Sequence, residues 1–356
     1  MAIFTNNLNK RQDAILAFIE KHKSASTGRI AEYVQEEVEN VTRITVSRDL
    51  DILLSEGFIQ RKGAGRSAYY ELSPQYSLLK KFDVDKYFSI GPDQREIKKN
   101  FDFEIFNYFS SDVFSQKELT DLEENNQKYQ ERIKKLSPII LKKELERLTI
   151  ELSWKSSQIE GNTYSLIDTE TLIKEHKEAA GHPKEEAVMI LNHKKAIDYI
   201  LDKRNDFKIL SLAKIENLHK LIVGDLGVKF NIRKSMVGIT GTNFKPLDNE
   251  FQIKETLEKM IKLVNEFELH PLAKALAAIL LTSYIQPFED GNKRTSRILG
   301  NAILLAYDYC PLSYRSIDES EYKKAVLLFY EQNSVNFFKE LFIQQFKFAV
   351  NNYFLA

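Results

Sequence analysis

The stretch that most restricts what this chain can fold into runs from residue 275 to residue 297. It opens with an apolar run, Ala275 to Ile285, which is broken by Pro287. That run is about half the length of the roughly 20 apolar residues a membrane span needs, so it reads as a buried core helix. After it comes a turn containing Asp290, Gly291 and Asn292, and then a second helical run with Ile298, Leu299, Ala302, Ile303 and Leu304 at helical spacing. Three cations, Lys293, Arg294 and Arg297, crowd the start of that second helix. A turn opening a helix presents free backbone N–H groups and the positive end of the helix dipole. Arg294 and Arg297, spaced i and i+3, reach one side of the same helix. This is the makeup of a polyphosphate site, with Asp290 available to hold a divalent cation on it.

Residues 286–297 read Gln-Pro-Phe-Glu-Asp-Gly-Asn-Lys-Arg-Thr-Ser-Arg. The order resembles the Fic/Doc family signature, His-x-Phe-x-Asp/Glu-Gly-Asn-Gly/Lys-Arg-x-x-Arg, at every position but the first. There Gln286 stands where the family has the histidine it uses as a base. The resemblance implies a helical bundle and, as the family's common reaction, transfer of AMP from ATP to a Ser, Thr or Tyr hydroxyl of a protein.

The chain has 356 residues, which suggests two or three domains. Apolar residues make up 43%, enough for real cores. Lys plus Arg and Asp plus Glu number 51 each, so global charge names no partner. The single cysteine, Cys310, excludes a disulfide framework and a cysteine-based zinc site. With no signal-like N-terminus, it suits a reducing cytoplasm.

Residues 1–74 read as a winged helix-turn-helix, an α+β module. Ile15, Phe18 and Ile19 give one helical stripe, and Ile30, Ala31 and Val34 a second. Thr42 caps a third helix that ends at Gly57, with Val46, Leu50, Leu53 and Leu54 facing inward. Two alternating stretches, Phe58 to Lys62 and Ser67 to Leu72, read as strands joined by a Gly63–Arg66 tip. Over residues 1–75 there are ten basic and ten acidic side chains. A modest basic face remains on the third helix and wing, with Arg43, Ser47, Arg48, Arg61, Lys62 and Arg66 as candidate contacts to double-stranded DNA. Binding of duplex DNA and docking of a protein both stay open for this module.

Residues 75–143 read as a helical connector with a break at Pro138, and residues 144–356 as the Fic domain. The expected fold class is therefore mainly α, an all-helical bundle with a small β-hairpin flap, preceded by the winged module. In that domain Ser156-Ser157-Gln158-Ile159-Glu160-Gly161-Asn162 closes a helix, with Gly161 as its left-handed cap. The run is similar to the Ser/Thr-x-x-x-Glu-Gly/Asn inhibitory motif of Fic proteins. By that resemblance Glu160, with Ser156, withholds Arg297 from a γ-phosphate. Met236 to Thr242 reads as a short strand or hairpin. It takes the place of the family's flap, whose Val237, Gly238, Ile239, Thr240 and Gly241 would dock an extended target segment.

Carried over by position, Gly291, Asn292 and Lys293 form the ATP cradle, Arg294 and Arg297 hold phosphates, Asp290 binds Mg²⁺, and Phe288 anchors the loop. Gln286, Asn292 and Arg294 occupy the catalytic positions. A glutamine amide has no basic nitrogen, and a general base is worth about 10²–10⁴ in rate. No replacement is expected among the histidines. His270 lies about 24 Å away along one helix, His219 reads as a core residue, and nothing in the sequence places His176, His182 or His193 at the site. Activity is therefore expected to be reduced or lost, with three alternatives standing. They are a feeble adenylyltransferase, an inactive ATP-binding regulator coupled to the winged helix, and Doc-like phosphate transfer suggested by Lys293. The partners implied are ATP, a protein substrate or the chain itself, duplex DNA and a second copy in a homodimer, without a membrane.

Overall fold

The computed structural model describes residues 8–109 and 113–355. It divides into two compact units, one of residues 1–95 with 332–337, the other of residues 96–331 with 338–356.

The smaller unit is organised by three capped helices. Asn9 opens α1 (Lys10–His22) with a capping box shared with Gln12. Ser26 caps α2 (Thr27–Glu37), and Thr42 caps α3 (Arg43–Ser55). A three-stranded antiparallel sheet has the order β1 (Ser24–Ser26), β3 (Tyr69–Leu72), β2 (Ile59–Lys62). Ala25 and Arg61 both stand opposite Tyr70. The turn between β2 and β3 needs Gly63, since its φ is 74° and a Cβ there would lie 2.9 Å from the Ser67 carbonyl oxygen. Ile15, Ile19, Ile30, Val34, Val46, Leu50 and Leu53 form the core. The short strand β1 was not legible in the sequence, because three residues are too few to show alternation.

In the larger unit, Ser137 and Pro138 start one unbroken helix, Pro138–Ile159, so the proline marks a first turn and residue 144 lies inside the helix. The helices Lys184–Asp202, Leu212–Val223 and Glu250–Glu266 surround a central pair, Pro271–Ile285 and Asn292–Ala306. Every residue from Leu272 to Ile285 is buried, as the apolar run requires. Gly300 brings the two central helices together, because a Cβ there would lie 2.4 Å from Ile279 Cγ1. Ser283 and Ser296 share a hydrogen bond of 2.9 Å across the same seam.

The expected hairpin flap does not form. Residues 236–242 are irregular, with a turn at Thr240–Gly241, and none belongs to a strand. The Val-Gly-Ile-Thr-Gly pattern suits a strand, but a strand needs a ladder partner, and among the described residues the only bridge nearby joins Asn100 to Lys245. Among the described residues no helix is long and apolar enough to cross a membrane.

The Gly300 contact generates a prediction. Gly300→Val should destabilise the protein by about 1–3 kcal/mol through overpacking. Combined with Ile279→Ala, the loss should fall short of the sum of the two single effects, as urea unfolding would show.

Candidate functional site

The helix Pro271–Ile285 ends on Gln286, which adopts the left-handed conformation at φ 51°. The chain then turns through Gly291, at φ 79°, into the helix Asn292–Ala306. Gly291 has no substitute here, because a Cβ would sit 2.7 Å from Val223 Cγ1. The turn is held from three sides.

From below, Phe288 is fully buried and stacks on His219 with ring centroids 3.7 Å apart. His219 Nε2 lies 2.9 Å from the Asp290 carbonyl oxygen. Burial pushes the His219 pKa down, which suits a neutral ring. Within the loop, Asn292 Nδ2 donates to the Phe288 carbonyl at 2.9 Å and to Gln286 Oε1 at 3.0 Å, while its Oδ1 accepts from the Phe288 N–H at 2.9 Å. From the third side comes Arg233, 1% exposed. It donates through Nε to the Gln286 carbonyl at 2.6 Å, through Nη1 to the Ser235 carbonyl at 2.7 Å, and through Nη2 to the Leu247 carbonyl.

Gln286 itself is 7% exposed, and both ends of its amide are in use. Oε1 accepts from Asn292, and Nε2 donates to the Ser283 carbonyl at 2.7 Å and to the Tyr330 hydroxyl at 3.3 Å. The side chain thus works as a brace between the loop and two helices. Asn292, assigned by resemblance to the cradle, also spends its whole amide inside the loop.

Above the turn lies a cavity of about 390 Å³ lined by Glu160, Gly291, Lys293, Arg294 and Tyr322 at one side and by Val237–Thr240 at the other. The irregular 237–240 segment therefore borders the cavity without being a strand. The Asp290 carboxylate, 67% exposed, sits at the rim and accepts from Arg294 Nη2 at 2.9 Å. Arg294 Nη1 is buried and has no partner. A buried donor left unpaired is costly, and an anion in the cavity would satisfy it.

Arg297 is completely buried. Its Nη2 lies 2.9 Å from Glu160 Oε1 and donates to the Ser156 carbonyl at 2.9 Å, and its Nε donates to Ser156 Oγ at 2.9 Å. Lys293 Nζ lies 3.9 Å from the other Glu160 oxygen. Burial alone would raise the Glu160 pKa, but the charges of Arg297 and Lys293 outweigh it and hold the carboxyl below its ordinary range. The helix end thus brings Ser156, Glu160 and Arg297 together, with Gly161 at φ 98° closing it.

Sequence reasoning missed three residues. His193 faces the helix Pro138–Ile159, its Nε2 2.8 Å from Ser156 Oγ and its Nδ1 2.9 Å from the Met189 carbonyl. Arg233 pins the loop, and Tyr322 packs its ring against Arg297, 5.3 Å from the guanidinium carbon. All three come from helices or segments far from the signature, and only packing assembles them. His270 caps its helix, as the sequence placed it, and pairs with Glu123 at 2.7 Å.

In this helical unit a tight glycine turn, the start of the helix Asn292–Ala306 and the buried Arg294 line one cavity, and the fully buried Arg297 lies one turn further along the same helix. Residues 209–304 match the model of the Fic/DOC family. It is 31% identical over 180 residues to the protein adenylyltransferase Fic of Aedes aegypti, which spans 48% of this chain and 35% of that protein. It is 30% identical, with the same coverage, to the protein of that name from Culex quinquefasciatus. The chain thus spans about a third of the length of the curated relatives it matches. Among solved structures, Fic-1 of C. elegans aligns with a TM-score of 0.59 at 19% identity, covering 66% of this chain and 70% of that one. A Fic family protein from Desulfovibrio desulfuricans aligns with a TM-score of 0.56 at 20% identity, covering 68% and 75%. These likenesses are of fold.

The Asn292 network yields a test. Asn292→Asp replaces two donated bonds with a carboxylate facing two oxygens, so it should cost about 1–3 kcal/mol or more in a thermal melt.

Proposed function

We propose that the larger unit is a Fic-type protein adenylyltransferase module, restrained by its own Glu160 and slowed by Gln286. The observation that carries this reading is the capture of Arg297 by Ser156 and Glu160 beside a cavity lined by Glu160, Lys293 and Arg294, with one nitrogen of each arginine left without a partner. A nucleotide in this cavity would lay its phosphates against the helix start at Gly291–Lys293 and against Arg294. Its terminal phosphate would need Arg297, which stays engaged until Glu160 withdraws.

Mg²⁺ fits the site in a limited way. Among the described residues no group of three or more His, Cys, Asp or Glu is placed to hold a metal. Mg²⁺ is usually held by one or two carboxylates together with substrate phosphates, and Asp290 at the cavity rim supplies one. The ion would neutralise phosphate charge there. The chain's own residues supply positioning and electrostatic stabilisation.

Transfer joins a target hydroxyl oxygen to the α-phosphorus as pyrophosphate leaves, and the hydroxyl proton must go to a base. Gln286 offers none, and its amide is already committed to the loop. The loop keeps its shape, so nucleotide binding should survive while turnover falls. Calorimetry with ATP and Mg²⁺ should show weaker binding for Arg294→Ala and binding tighter by about tenfold for Glu160→Gly. Gln286→His combined with Glu160→Gly should raise AMP transfer at least about a hundredfold over the parent chain. Robust transfer by the parent, with no gain from the histidine, would overturn the role given to position 286.

For the smaller unit we propose a winged helix that binds duplex DNA. The supporting observation is the surface of α3, where Arg43, Ser47 and Arg48 are exposed, while Asp49 is buried and accepts from Arg11, Gln12 and Asn9. Arg61 and Lys62 are exposed on β2, and the side chain of Arg66 lies outside the described residues. Retention of duplex DNA should fall steeply with added salt and drop on Arg48→Ala. No retention from a pool of genomic fragments at low salt would favour protein docking.

A further inference from the structure

The helix Lys184–Asp202 carries a fully buried histidine against the inhibitory helix, and none of the roles described so far uses it. Its surroundings fix the direction of every proton. The Met189 carbonyl can only accept, so His193 Nδ1, 2.9 Å away, carries the hydrogen. A neutral imidazole then has a bare Nε2, which accepts from the Ser156 hydroxyl at 2.8 Å. With its own proton committed, Ser156 Oγ presents lone pairs to Arg297 Nε, an obligate donor at 2.9 Å. The Ser157 hydroxyl stands 3.3 Å from Nδ1 and completes the shell.

We infer that His193 is the positioning residue of the inhibitory latch, orienting the Ser156 hydroxyl so that it accepts from Arg297 and keeps that guanidinium beside Glu160. The inference rests on the reading that Ser156 and Glu160 hold Arg297 in check. It goes further by assigning that grip to a third side chain on another helix.

The direction of the chain excludes a protonated imidazole. With hydrogens on both nitrogens, His193 would donate to Ser156 Oγ, leaving the hydroxyl hydrogen with no acceptor between two donors. Burial pushes the His193 pKa down to about 3, and the nearby Arg294 and Arg297 charges push the same way against Glu160. The latch therefore keeps one orientation at neutral pH. A histidine that merely filled the core would need no such ordering. Its removal would also disturb Arg297 to the same extent whether or not Ser156 kept its hydroxyl.

The test uses the full chain without nucleotide, labelled with ¹⁵N in arginine and histidine. In the unmodified protein, His193 should show the Nδ1–H tautomer with an unprotonated Nε2 at neutral pH. A charged ring, or the Nε2–H tautomer, overturns the inference without any substitution. Exchange of the Arg297 Nε hydrogen with solvent, assigned through Arg297→Lys, should speed up about two- to tenfold in His193→Leu. It should return toward the parent rate in His193→Gln, whose amide oxygen can accept from the same hydroxyl. In a Ser156→Ala background, His193→Leu should change nothing further. An unchanged rate in His193→Leu, no rescue by glutamine, or the same acceleration without the Ser156 hydroxyl would each refute the positioning role. These readouts involve no ATP. Failure of Glu160→Gly to alter ATP affinity would therefore count against the inhibitory reading and leave the proton order to be judged separately.

Discussion

A guanidinium with no exposed surface has to be matched by acceptors from the protein, and the larger unit is arranged around that need at Arg297. Three helices meet there. One carries the arginine, one ends in Ser156 and Glu160, and one carries His193 behind the serine. Removing a single partner from such a group leaves a buried charge only partly answered, which costs far more than the pair gains by forming. The arrangement therefore favours two conditions. Either the internal acceptors hold the arginine, or, on the proposed function, an incoming anion would replace them. Intermediate states, with the arginine bare in its pocket, are penalised. On the proposed function this gives physical content to inhibition by a carboxylate, since inhibitor and ligand would answer the same guanidinium.

The neighbouring Arg294 behaves differently, although it lies only one helical turn away. Its carboxylate partner Asp290 is mostly in solvent, whereas Glu160 beside Arg297 is largely buried, and each guanidinium keeps one nitrogen without an acceptor. An exposed carboxylate is a weak holder, because water competes for it. Under the proposed function, Arg294, which lines the cavity, would meet a ligand first, and Arg297 only once Glu160 had yielded. On that proposal the two arginines would grade the site into an accessible part and a withheld part.

How much of this could be read from the chain follows from how local each signal is. The apolar run before Pro287 and the helix after Gly291 depend on neighbours in sequence, and both helices stand where the spacing put them. Thr42 as a cap and Gly161 as a left-handed terminus are equally local, and both hold. The flap failed for the opposite reason. A strand exists through its partner, and the residues from Met236 to Thr242 gave no information about whether one was there. His193 and Arg233 carry no motif of their own. Their meaning comes from a serine 37 residues away and from carbonyls supplied by three different segments. Asn292 was assigned to a ligand on its position in the signature, yet its amide is consumed within the turn, because a buried amide takes the nearest partners.

Arg233 has one more consequence. Its acceptors at residues 235, 247 and 286 are all main-chain carbonyls, which every amino acid supplies alike. The pin thus secures the path of the backbone and is indifferent to which side chains that backbone bears. Architecture and chemistry are separable at this point in the molecule. On the proposed function, Gln286 stands where a base would be needed, and the loop keeps its hydrogen bonds around it. A fold built this way can lose a reaction, or acquire a different one, without first having to lose its shape.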